Sequence, residues 1–156
     1  MNLARVIRLD DSDLRVMDLP AEPGEWAIAG AFEFTQWTES DLQGPRAQGF
    51  LNGWLGLGSF GRATLVAVTP LTEGELAALT ERLTQHFLQY YGAPDEVVAR
   101  AVAQDELSQM RDLCDGQDVN TLLVVERSLE DIGVRERVRV ISPSDASLAD
   151  LTGHSV

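Results

Sequence analysis

Arg135, Arg137 and Arg139 are the residues whose type and spacing are best suited to chemistry in this sequence. On a strand they project from one face at steps of about 7 Å, while Val134, Val138 and Val140 project from the other. Three fixed guanidinium charges in a row repel one another unless carboxylates or an anion lie beside them. Acidic neighbours such as Glu126 and Glu136 would meet that need, and so would an anionic ligand or an acidic partner. Arg62, Trp37 and Trp54 join them as ligand- or partner-binding candidates, since tryptophans can line a pocket or anchor an interface. Core packing is the competing account of Trp54 and Trp26, and Trp37, just beyond a strand end, is expected to be partly exposed. His86, His154 and Cys114 offer no zinc spacing and no paired nucleophile, so no metal site and no catalytic residue is assigned.

The run L-G-L-G-S-F-G at 55–61 resembles the glycine-rich loop of protein kinases, with Phe60 at its tip. In kinases that loop leads to a lysine that holds phosphates. Here all 12 basic residues are arginine, which removes the lysine and, with it, any Schiff-base chemistry. The H-R-D and D-F-G motifs are missing too. A dinucleotide fold would open a helix after the glycines, but A-T-L-V-A-V reads as a strand. The expectation is a structural loop in which glycine lets Trp54 and Phe60 pack closely. Two acidic clusters, Asp10–Asp11–Asp13 and Asp105 to Asp118, lack EF-hand spacing and read as solvated surface. A spatial pair of acid–base carboxylates stays open.

The elements that must carry these residues follow from periodicity. Strands are expected at 4–9, 25–34, 63–69, 121–127 and 134–141, the last two as a hairpin. In 25–34 Trp26, Ile28, Phe32 and Phe34 alternate with Ala27, Ala29 and Ala31, whose small face would let another layer come close. Apolar spacing predicts a helix over 45–55 that includes Trp54 and Leu55. Thr72 and Glu75 form a capping box for a helix lined by Leu76, Leu79, Leu83, Phe87 and Tyr90. A second helical region at 95–114 shows Val97, Val98, Ala101 and Val102, then Leu107, Met110, Leu113 and Cys114, with a break expected near Gln104. The result is an α+β single domain over 1–143, a largely antiparallel sheet of about five strands with two main helices on one face. Residues 144–156 are expected to be a loose tail.

Net charge is −13 over 156 residues. That field opposes nucleic acid and anionic membrane. A single cysteine, no signal-like segment and no membrane-length apolar run lead to an expected cytoplasmic location. The stretches G-E-W-A-I-A-G-A-F-E-F and Q-G-F-L-N-G-W-L-G-L-G-S-F-G-R-A-T-L-V-A-V, with Trp37 between them, resemble a small bacterial protein family of unknown function. The resemblance extends to Glu106–Cys114 and implies no activity, cofactor or site residue. The leading expectation is a non-catalytic accessory or protein-interaction domain that self-associates. The alternative is a binding protein for an anionic small molecule, or an enzyme, with a pocket between helices and sheet near Trp54, Arg62 and the strand arginines.

Overall fold

The computed structural model describes residues 1–141. The expected tail at 144–156, His154 with it, lies outside the described residues. Seven strands form one antiparallel sheet: β1 Asn2–Ile7, β2 Trp26–Ile28, β3 Trp54–Gly56, β4 Arg62–Ala63, β5 Leu65–Pro70, β6 Leu122–Glu130 and β7 Gly133–Ile141. Their order is β4-β3-β2-β1-β5-β6-β7. The helices are α1 Ser12–Val16, α2 Ala47–Asn52, α3 Glu73–Tyr90 and α4 Glu96–Asp115. The α+β class holds, with two strands more than expected. The additional pair is the short β3–β4 hairpin, which the sequence pattern divides among a helix end, a loop and the first residue of the strand expected at 63–69.

Two irregular segments explain the other differences. Gly30 takes φ +68, a left-handed conformation that ends β2 after three residues and starts a 3-10 turn at Ala31–Phe34. The period-two run at 25–34 is therefore a strand only over Trp26–Ile28. A Cβ at Gly30 would also lie 2.6 Å from the Leu55 Cβ. Helix α2 stops at Asn52 because Gly53 is extended. Trp54 and Leu55 consequently belong to a strand rather than to the expected helix.

Helix α3 carries the expected capping box, with Glu75 N donating to Thr72 Oγ1 and Thr72 N to the Glu75 carboxylate. It buries Leu79, Leu83 and Phe87, whereas Tyr90 is exposed. Helix α4 runs unbroken past Gln104 and buries Ala99, Ala103, Leu107, Met110 and Cys114. It lies against β1, where Ala4 and Ala27 face neighbouring positions and, like Ala99 and Ala103, have no exposed surface. Small side chains on both layers permit a close approach. The valines of its expected stripe point outward instead: Val97 is 79% exposed, and Val98 and Val102 are exposed as well.

The sheet curls into a half-barrel. Trp54 on β3 donates from Nε1 to Leu123 O on β6 at 3.1 Å, although β2, β1 and β5 stand between them in the sheet. One edge, β4, is covered: Arg62 N donates to Leu19 O and Ala21 N to Arg62 O. The other edge is β7, paired with β6 over its whole length.

Candidate functional site

The curl is closed by two buried arginines. Arg62, on β4, is 7% exposed and Arg127, on β6, is 5% exposed. Arg62 donates to Ala29 O, Gly53 O and Gly30 O at 3.0, 3.2 and 2.9 Å. Arg127 donates to Gly49 O, Phe50 O, Gly53 O and Ala29 O at 3.3, 3.0, 2.8 and 2.6 Å. Two carbonyls, Ala29 O and Gly53 O, thus accept from both guanidiniums. These acceptors exist because the Gly30 turn and the extended Gly53 leave carbonyls outside any ladder.

Both guanidiniums also lie over the Phe34 ring, at 4.5 and 5.2 Å. Glu33 sits 3.3 Å from Arg62 and 3.3 Å from Arg46, and Glu136 accepts from Arg127 Nε at 2.8 Å. Burial pushes Arg62 down to about 10, with Glu33 working against that shift and Arg127 adding to it. Burial lowers Arg127 too, opposed chiefly by Glu136. Both remain charged at neutral pH. The centre is a rivet between the two halves of the curled sheet.

The glycine loop is likewise occupied from within. Glu25 accepts from Gly58 N at 2.7 Å, Ser59 N at 2.5 Å, Ser59 Oγ at 2.7 Å and Glu22 N at 2.5 Å. Burial pushes this carboxyl up, but the bonds from Ser59, Glu22 and Gly58 outweigh it and hold the group below its usual range. A Cβ at Gly58 would lie 2.8 Å from Glu25 Oε1, so glycine is what admits the carboxylate. The amides that would cradle a phosphate in a nucleotide loop hold a side chain of the same fold. Beyond the loop tip Phe60, at φ +57, stacks on His86 with centroids 3.7 Å apart. Burial, followed by the Arg82 charge and opposed by Glu33, lowers the His86 pKa.

Asp13 leaves the acidic cluster for the interior. It is 4% exposed and accepts from Thr64 N and Oγ1 at 3.1 and 2.6 Å. Cys114 has no exposed surface, and burial, with Asp115, pushes its thiol up to about 12. Among the described residues no group of three His, Cys, Asp or Glu side chains is placed to hold a metal. No helix among them is long and apolar enough to cross a membrane.

The family of unknown function DUF6505 matches residues 1–156. The chain belongs to that family. No curated protein and no solved structure matches it.

In this DUF6505 chain the six candidate residues separate into three places. Trp54, with no exposed surface, and Arg62 lie in the filled closure of the sheet. Trp37 is only partly buried, stacked on Phe50 at 5.2 Å and edge-on to Phe34, with Arg46 over its ring at 5.4 Å. Arg135, Arg137 and Arg139 alternate on one face of β7, across from Ser128, Glu126 and Val124. Arg135 stands 3.7 Å from Glu130 and Arg139 3.6 Å from Glu126. Arg137 lies opposite Glu126 in the register, exposed and, among the described residues, with no carboxylate at ion-pair distance. Glu136 points the other way and serves Arg127.

A pocket of about 620 Å³ in this DUF6505 fold opens beside α1 and α2 against β6 and β7, with Gln48, Asn52, Thr64, Glu126 and Arg139 among its polar lining. Sequence reasoning missed Arg127, Glu25 and Asp13. Arg127 had a legible sign: it shares parity with Leu123 and Val125 on β6, so a strand there turns it inward. Glu25 had none, because its loop partners lie 33 and 34 residues away.

Proposed function

We propose that this chain is a non-catalytic protein-interaction domain that self-associates through α4. The observation that carries the reading is the outward stripe of Val97, Val98, Ala101 and Val102, two adjacent i,i+4 rows on a helix whose buried face is already filled. Arg100 borders the stripe and pairs with Glu96 and Glu81, giving it a charged rim. Cys114 and Asp13 are buried, and the Glu25 carboxylate is held by the glycine loop. Two copies carry the same charge of −13 each, so salt that screens their repulsion strengthens the contact. Light scattering on the full chain at low and high salt tests this. A dimer fraction that rises with salt and is lost in Val97→Glu/Val102→Glu supports the reading. A monomer at every salt and protein concentration refutes it.

A second reading has one observation in its favour. The pocket beside α2 joins Arg139 and Glu126 to the amides of Gln48 and Asn52, a polar set suited to a small anionic ligand. Citrate and inorganic phosphate are the probes. A rise in melting temperature that disappears in Arg139→Gln supports ligand binding, and unchanged melting with both refutes it.

A further inference from the structure

We infer that β7 is a docking edge for an extended acidic segment of another protein, added to the sheet as an eighth strand. The inference rests on the interaction-domain reading and names one partner of that domain.

The two edges of the sheet are treated differently by the fold. The β4 edge is short and closed off by Leu19–Ala21, with Pro20 bridged to Arg62. The β7 edge is nine residues long, and among the described residues it pairs with β6 alone. In an antiparallel pair every second residue of an edge strand aims its N–H and C=O away from its neighbour. A long edge of this kind is a template for another strand.

Side-chain parity decides which strand. A second copy of β7 joined by a two-fold axis must run antiparallel, with same-face residues opposite one another. Odd-numbered residues then meet odd-numbered ones. With Arg137 opposite itself, Arg135 faces Arg139, and shifting the register by one pair in either direction still sets arginine against arginine. Like charges directly opposite are destabilising, so the edge is protected against its own copy. An acidic strand reverses that sign. Carboxylates at alternate positions repeat at about 7 Å, the spacing of Arg135, Arg137 and Arg139.

Room for it is at Arg135 and Arg137. The Arg135 pair to Glu130 is long, at 3.7 Å, and the Arg135 side chain is 76% exposed. Arg137 at the centre is exposed. On the other face Val140 is exposed and Val138 packs at the core margin, which suits threonine or valine between the acids.

The test is fluorescence anisotropy of a short labelled peptide alternating glutamate and threonine, titrated with the full chain. Binding is expected, weakening with salt, and roughly tenfold weaker with Arg137→Glu, a substitution on an exposed side chain. The same peptide N-methylated along one edge keeps its charge and loses its backbone donors. It is expected not to bind. Equal binding of the N-methylated peptide, or of a lysine–threonine peptide, overturns strand addition, and so does absence of binding. Tighter Arg137-dependent binding of an oligothymidylate overturns the choice of a protein partner. Light scattering separates this from the α4 reading: a dimer that ignores the peptide refutes the edge alone, and a monomer that binds it refutes self-association alone.

Discussion

The shared carbonyls of the arginine rivet make a quantitative prediction about coupling. Replacing Arg127 with Met removes five hydrogen bonds, including the one from Nε to Glu136. Breaking a buried pair of this kind costs about 3–5 kcal/mol. Two features soften the loss. Ala29 O and Gly53 O keep Arg62 as donor, and removing one guanidinium relieves the repulsion that helps to depress Arg62. Each single substitution, Arg62→Met or Arg127→Met, is therefore expected near the lower end, about 3 kcal/mol. The double substitution has neither relief. It leaves both carbonyls without a guanidinium donor, at about 1–3 kcal/mol each. The cycle should show the double mutant to be less stable than the sum of the singles by about 2 kcal/mol or more. Urea unfolding is the assay, read by tryptophan fluorescence because Trp54 is fully buried. Additivity within about 0.5 kcal/mol would refute the shared-acceptor account.

Other outcomes follow from single groups. Glu25 has a depressed pKa in the fold, so its stabilisation is present above the unfolded value near 4.5 and is lost as pH falls through the folded one. Glu25→Gln should flatten that acid limb in urea midpoints measured from pH 5 downward. Glu106 has the opposite sign: burial, then Asp105 and Glu136, push it up to about 6. The unfolded chain releases this proton first, so stability falls as pH rises from about 4.5 to about 6. Glu106→Gln should raise the urea midpoint at pH 7.5 and leave it unchanged at pH 4. Cys114 should react with a thiol reagent only as fast as the protein opens, and labelling at the rate of a free thiol would contradict its burial. Gly30→Ala must accept both a left-handed φ and the Leu55 Cβ, and should cost about 2 kcal/mol or more in the same urea assay.

Local chemistry was legible where it is written locally. The α3 cap, the β6–β7 hairpin and the alternation of the strand arginines each depend on residues a few positions apart. Helix α4 shows where hydrophobicity misleads. Valine outranks alanine as an apolar residue, yet Ala99 and Ala103 face the sheet because only small side chains let the helix lie on β1. The segment at 25–34 fits period two as letters, and a single left-handed glycine cancels it. The rivet and the Glu25 loop were out of reach because their partners are brought together by the curl of the whole sheet.

The same long reach bears on how the chain is made. Arg127 emerges 74 to 98 residues after the carbonyls it will hold, at Gly53 and Ala29. At about 5–20 residues per second, roughly 4–20 s pass in which Arg62 alone can donate to Ala29 O and Gly53 O, and Phe50 O must turn to water. During that interval Phe34, Phe50 and Trp37 can pack on one another, but the last guanidinium that fixes them is still unsynthesised. The Arg62 half of the closure thus has its donor early in synthesis, and the Arg127 half gains its own only with β6.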